Sequence, residues 1–386
     1  MPTKAAKQES FDKRWQITLD GQPTYFAGNG PGASTTRQIF TPVGMQLVAI
    51  PTDEWKVELG ARSGYVDIKQ GTDAFKQHFG GWTDTSLTGT ITYYGINGFL
   101  PFVSVATNLP TGTTVLLGPQ GAAKPDADVF QIPGFGEGLN IGPTVGVNIP
   151  ITKDLLVSTG VGYTHRGGFD RDGLFVFVPP PAHQTLQHIQ PGGVLTGNAS
   201  IGYQSGPLSL QGSASYSLEE ATYIDDMVAF KTGNRATVSG GVGYAWIESL
   251  SSKLSASFSH INHNGVVNAP SIILMVEPFN SNSDVTTVTF DTTYKIGMFA
   301  IGPTAGYLYR NHNGYDQDTL QFLPAKTKWS AGGTAQYAVT KQASFNARAE
   351  YIWLTTADGP TIPPFVLTPA TAMNAWIVSL GGTLIF

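Results

Sequence analysis

Apolar and polar residues alternate with a period of two along most of this chain. Residues 139–149 set Leu139, Ile141, Val145, Val147 and Ile149 against Asn140, Gly142, Thr144, Gly146 and Asn148. Residues 208–219 set Leu208, Leu210, Ala214, Tyr216 and Leu218 against Ser209, Gln211, Ser213, Ser215, Ser217 and Glu219. That periodicity is the mark of β-strands with one apolar face. The strands are punctuated by short polar turns at 51–54, 96–98, 152–154, 205–207, 249–253, 296–298 and 340–342. These recur about every 45 to 55 residues, the length of two strands and a loop. Seven turns separate eight hairpins, which predicts sixteen strands. They fall near 14–25, 36–50, 54–68, 82–95, 98–108, 139–150, 154–167, 193–204, 208–222, 233–247, 253–263, 285–296, 299–312, 326–339, 342–356 and 373–386. Longer segments at 109–138, 168–192, 264–284 and 357–372 join them at the opposite end.

Tight turns at one end and long loops at the other are the asymmetry of a transmembrane barrel, with the turns periplasmic and the loops extracellular. The predicted fold class is all-β, a transmembrane antiparallel up-and-down barrel of 16 strands, with 12 or 14 as alternatives. Residues 1–13 are expected to be a short periplasmic segment and 14–386 a single barrel domain. A soluble sandwich would bury its apolar face and would need buried partners for many tyrosine hydroxyls. Here Tyr163, Tyr203, Tyr216, Tyr244, Trp246, Tyr294, Tyr307, Tyr337, Tyr351 and Trp353 share the apolar face, most of them near strand ends, as in the aromatic girdles of a bilayer-spanning barrel.

Composition agrees. Charged residues make up only 13% of the chain, against 41% hydrophobic, yet no run approaches the roughly 18 apolar residues of a transmembrane helix. The chain contains no cysteine, which excludes disulfides and thiolate chemistry. A net charge of -5 gives no support for nucleic-acid binding. Residues 1–14 carry lysines without an apolar run, so a mature form with its export signal removed is expected.

The last stretch, Trp376 to Phe386, alternates apolar Trp376, Val378, Leu380, Leu384 and Phe386 with Ser379, Gly381 and Thr383. It resembles the closing strand of bacterial outer-membrane barrels. That resemblance implies that Trp376, Leu384 and Phe386 form a signal read by the barrel assembly machinery, with Phe386 closing against the strand near Trp15.

Ionisable residues fall on the polar face and so are expected to line a lumen. The bases are Lys56, Arg62, Arg166, Arg235, Lys295, Arg310, Lys328 and Arg348; the acids are Glu58, Glu219, Asp291 and Glu350. Eight cations face four anions, an excess that favours anions or carboxylate-bearing solutes in a water-filled constriction. The alternative is an internal ion-pair network, with Arg348 and Glu350, or Lys56 and Glu58, neutralising one another. Three loops carry apolar runs, at 174–181, 272–279 and 362–367. Either they turn inward as a greasy mouth, with Phe175, Phe177, Met275, Phe279 or Phe365 holding an amphiphilic solute, or they pack on one another as a cap.

The longest loop begins Leu109-Pro-Thr-Gly112 and ends with Pro133, Phe135, Gly136, Gly138 and Asn140 in a P-x-F-G-x-G-x-N pattern. These elements, within residues 98–166, resemble the outer-membrane transporter family associated with phenol meta-cleavage pathways. More remotely, the chain is similar to the functional-amyloid secretion pores. The resemblance implies passage of a hydrophobic or aromatic substrate, with no catalytic residues; the helical periplasmic extension of the secretion pores is lacking.

Other chemistry finds little geometry. His260 and His263, three apart on a strand, point to opposite faces and make no metal pair. His183 and His188 lie in a loop. A rim-located hydrolase would need His165 or His312 paired with a serine or with nearby Asp170, Asp172, Asp316 or Asp318. Gly160, Gly162, Gly240, Gly241 and Gly243 lie within strands and form no phosphate loop. The expected function is therefore a passive outer-membrane diffusion channel for small solutes, with a secretion or assembly pore as the alternative. No cofactor, metal, enzymatic activity or nucleic acid is expected. The expected partners are the lipid bilayer, lipopolysaccharide, the assembly machinery, a small solute and further copies in a homotrimer.

Overall fold

The computed structural model describes residues 14–30, 35–71, 76–113, 128, 134, 136–176, 183–268, 273–362 and 364–386; the side chains of residues 76, 172–176 and 183–185 lie outside that description. The expected N-terminal segment 1–13, Phe177 and the Phe175 side chain are therefore not described.

Eighteen strand segments form one sheet, and two staves are each made of two segments, so the wall has sixteen staves. The first stave, β1, runs Trp15–Gly21 and, past Gln22 and Pro23, Thr24–Asn29; both segments pair with the same two neighbours. Next come β2 (Thr35–Thr52) and β3 (Trp55–Gly71). The fourth, β4, runs Lys76–Trp82 and Thr85–Tyr93, both against β3. Then follow β5 (Leu100–Leu109), β6 (Asn140–Pro150), β7 (Leu155–Arg166), β8 (Val194–Ser205) and β9 (Leu208–Glu219). The ring continues through β10 (Arg235–Ile247), β11 (Leu250–Ile261), β12 (Val285–Ile296) and β13 (Phe299–Arg310). It ends with β14 (Lys326–Ala338), β15 (Ala343–Thr356) and β16 (Thr371–Ile385). Every neighbour pair is antiparallel, and β16 returns to β1, Thr18 opposite Ile385, with the Phe386 N–H donating to the Ile17 carbonyl at 2.9 Å.

The seven expected turns all join staves at the end where both termini lie. Three turn on glycine: Gly98, Gly206 and Gly297 have φ of 79°, 54° and 59°, the left-handed region that β-branched or bulky residues avoid. The first four staves run higher on the opposite side than their alternation predicts. The loops at 168–192, 222–231 and 265–276 differ further from expectation. They are built as strands, Phe169–Val176, His183–Gln190, Thr222–Ile224, Met227–Lys231, Gly265–Asn268 and Ile273–Val276, in a second sheet of six. The apolar runs are thus β-forming sequence, and each hairpin continues two staves beyond the membrane wall.

Outward residues are apolar and ringed by aromatics. Tyr244 packs on Trp246, Phe299 on Tyr337, Tyr307 on Trp329, and Tyr351 on both Trp353 and Trp376, with centroids 4.4 to 4.9 Å apart. Trp55 and Tyr65, each packed against a ring of β4, mark two levels of one stave. At about 3.3 Å per residue and a tilt near 40°, their separation is roughly 25 Å of height, the thickness of a bilayer's apolar band.

Inward positions divide by side. Along β5–β14 they are mostly serine, threonine, asparagine and glycine, linked across staves by pairs such as Ser213 with Ser239 and Ser257 with Thr287. On β1–β4, β15 and β16, by contrast, Phe26, Phe40, Val66, Ile68, Phe79, Ile352, Leu354 and Ala375 form a buried apolar cluster inside the barrel.

Candidate functional site

The lumen is the candidate site, and strand alternation decides what reaches it. Each expected pore-lining residue lies on the face opposite the exposed apolar residues of its stave: Lys56, Glu58 and Arg62 on β3, Arg166 on β7, Glu219 on β9 and Arg235 on β10. Asp291 and Lys295 do so on β12, Arg310 on β13, Lys328 on β14, and Arg348 and Glu350 on β15. Lys326, on the face of Lys328, joins them, as do Asp20 and Lys253. Lys326 was legible from Lys328 two residues away. Lys253 sits where the sequence placed the end of a turn, but the strand starts at Leu250.

The charges are partly paired. Lys56 Nζ lies 3.1 Å from Glu58 Oε1, and Arg166 bonds Glu219 and donates to the Gly192 carbonyl. Arg348 is the centre of the largest group. Its Nε donates to Glu350 Oε2 at 2.7 Å, its Nη2 to Thr304 Oγ1 at 3.1 Å, and its Nη1 lies 4.0 Å from Asp291 Oδ1. Thr304 donates to Asp291 at 2.7 Å and Ser330 to Glu350 at 3.2 Å, so both carboxylates are held by hydroxyls as well as by the guanidinium. Arg62, Arg235, Lys253 and Lys295 form no ion pair among the described residues, against one such inner-face carboxylate, Asp20. Two recesses open along this wall. One of about 840 Å³ lies among Asp154, Gln204, Ser209, Gln211 and Lys253, and one of about 430 Å³ among Asp20, Gln46, Glu58, Arg62 and Thr88.

Two carboxylates that sequence reasoning missed organise the long loop between β5 and β6. Asp84, 3% exposed, sits where β4 is interrupted. It accepts from the Gly112 N–H at 2.8 Å, the Glu137 N–H at 2.9 Å and Asn108 Nδ2 at 3.0 Å, while its own N–H donates to the Gly134 carbonyl at 3.2 Å. The two glycine-rich motifs, L-P-T-G and P-x-F-G-x-G, thus meet on one side chain. Asp128 from the same loop reaches β13 and β14, eight staves round a ring of sixteen from β5, and bonds Arg310 at 2.5 Å. A lone loop aspartate carries no local signal of either role.

Of the apolar loop residues, Met275, Phe279 and Phe365 are exposed, Met275 on the face that Phe230 and Val266 share, and Phe279 against Tyr315 at 5.5 Å. His312 Nδ1 bonds the Asn313 carbonyl and its ring packs on Phe322. Among the described residues the histidine–carboxylate pairs include His78 with Asp67 and His188 with Asp170, both at 2.8 Å, and, nearer the predicted sites, His260 with Asp284 at 2.6 Å. None of these three rings bonds a serine or threonine hydroxyl among the described residues. His263 bonds the Glu277 carbonyl, away from His260, and no group of three metal-ligating side chains is present among the described residues.

A closed ring of antiparallel staves, an apolar exterior bounded by aromatic girdles and a polar inner wall define a transmembrane β-barrel of the bacterial outer membrane. No family model matches the chain, and no curated protein does. Among solved structures it is similar to OccAB1 of Acinetobacter baumannii, at 10% identity over the whole of both chains with a TM-score of 0.47. It is also similar to the toluene transporter TodX of Pseudomonas putida, at 12% identity over 97% of this chain and 89% of that one, with a TM-score of 0.42. A third is the COG4313 outer membrane channel of Pseudomonas putida F1, at 10% identity over 64% of this chain and 88% of that one, with a TM-score of 0.41. Likeness at this level assigns no substrate.

Proposed function

We propose that this chain is a channel for passive diffusion of small solutes, with a cationic lumen that favours anionic, aromatic-acid or amphiphilic solutes. The observation that carries the reading is the inner-face imbalance among the described residues: Arg62, Arg235, Lys253 and Lys295 without ion-pair partners there, against Asp20. Ion pairing within the wall removes part of the sequence-level excess and leaves these. Cations in a water-filled passage with a low-dielectric wall raise the local concentration of anions. The apolar cluster fills one side of the lumen, which weighs against the wide passage that a secretion pore requires.

Reversal potentials of single channels in a salt gradient test this. Anion selectivity is expected, and neutralising Arg235, Lys253 and Lys295 together to glutamine should reduce it by at least several-fold, roughly the leverage of three charges in a focused field. Cation selectivity of the natural chain would sink the charge reading; no conductance would sink the channel.

The same proposal assigns Trp376 and Leu384, exposed on β16, and the exposed Phe386 just past its end, to assembly in the membrane. Phe386→Ala should lower the yield of membrane-inserted barrel in cells while leaving the unfolding midpoint of purified barrel nearly unchanged. An unchanged cellular yield would remove the assembly role.

A further inference from the structure

The geometry points to a carboxylate-binding site formed by Arg310, Lys326 and Lys328 on the lumen wall, which the side chain of Asp128 occupies in this conformation. Arg310 and Lys326 face one another across β13 and β14, and Lys328 lies one inward step below, opposite Leu308. Three like charges on two adjoining staves repel, so the cluster requires an anion. All three contact Asp128, a residue of the long loop rather than of the staves. The Arg348 group, by contrast, is neutralised from the wall itself, by Glu350 on the same stave and by Asp291 on β12.

The anion arrives from far along the chain. Asp128 lies 182 residues before Arg310, and its Oδ1 accepts from Arg310 Nη2 at 2.5 Å. Its Oδ2 lies 3.5 Å from Lys326 Nζ, and Lys328 Nζ donates to its main-chain carbonyl at 2.5 Å. One carboxylate oxygen bonds Arg310 and the other faces Lys326, so the carboxylate lies between two cations. The Asp128 side chain is 5% exposed, whereas Arg310 is 34% exposed and remains reachable from the lumen. Arg310 Nε is buried and has no acceptor, so the fork holds a donor that Asp128 leaves unused. Asp128 is an intramolecular occupant, and a tethered group competes at an effective concentration on the order of millimolar. A solute carboxylate entering the lumen would bind by displacing it.

This inference rests on the channel reading for the arrival of the solute, but the site can be tested without conduction. Benzoate is titrated calorimetrically at low salt into the folded, detergent-solubilised full chain, with benzyl alcohol as the uncharged control. The natural chain should bind benzoate weakly, and Asp128→Asn should bind it at least about tenfold more tightly, as removal of a tethered competitor requires. Adding Lys326→Met and Lys328→Met to Asp128→Asn should abolish the gain, and benzyl alcohol should bind none of the three. No gain in Asp128→Asn, or a gain that survives loss of both lysines, overturns the site. Heat-modifiable gel mobility reports whether each variant is folded. If Asp128→Asn does not fold, the natural chain is titrated to high benzoate, and binding unchanged by Lys326→Met with Lys328→Met overturns the proposal. A chain that binds benzoate as expected yet passes no current defeats the channel reading alone; one that conducts but gains no affinity in Asp128→Asn defeats the site alone.

Discussion

Replacing Val145 by arginine is expected to destabilise the folded barrel by about 2–4 kcal/mol in a reversible lipid-vesicle unfolding titration. Val145 is 53% exposed at the middle of β6, with Val103 opposite it on β5. On a soluble surface such a change would fall within roughly 0.5 kcal/mol of neutral. At the mid-height of a lipid-facing wall it places a guanidinium in hydrocarbon. Thr144→Arg, one residue away, turns the same charge into the lumen and should be tolerated with little loss. Equal effects of the two substitutions would contradict the assignment of inner and outer faces.

Asp84→Ala should cost at least about 3 kcal/mol by the same titration. A buried carboxylate that accepts three hydrogen bonds contributes roughly 1.5–3 kcal/mol through each charged contact, and these are not additive. Its loss leaves the Gly112 and Glu137 N–H groups without an acceptor and separates the two ends of the long loop from β4. Asp84→Asn, which keeps one carbonyl oxygen but turns an amide toward one set of donors, should fall between. A loss below about 1 kcal/mol in the alanine variant would mean that the loop ends are held elsewhere.

Most of the wall is readable in the sequence because two independent signals coincide. Turn residues recur at hairpin spacing, and in segments such as 139–149 and 208–219 the two faces differ sharply in polarity. Where both faces are apolar the second signal vanishes. Tyr25-Phe26, Ile39-Phe40, Tyr65-Val66 and Tyr351-Ile352-Trp353-Leu354 are such places, and each contributes an inward member to the buried cluster. Unbroken apolar runs in strands otherwise alternating are the mark of burial on both faces, and that cue was available. The loop strands were hidden because a segment between staves reads as a connection by position. The runs of branched and aromatic residues at 174–178 and 272–276 are β-forming, however, and could have been read as strands. The lumen charges were legible one residue at a time through period two. Their pairing was not. Arg348 finds Glu350 within its own stave, but Lys328 meets Asp128 200 residues away, and nothing local announces such a partner.

The interruption of β1 at Gln22 and Pro23 falls at the seam where the two ends of the wall meet. Proline offers no N–H, so the ladder to β16 loses continuity there, although the Pro23 carbonyl still accepts from the Leu380 N–H at 3.0 Å. A ring under outward tension would be expected to tear at its least continuous joint. The cluster lies across that joint from within, with Phe26 on one side and Ile352, Leu354 and Ala375 on the other. What the backbone lacks in stitching, side chains replace as an internal weld. Closure of the ring is then coupled to burial of these rings and methyl groups, so a cylinder still open at this joint would expose a greasy edge to water, an edge that drives the first and last staves together.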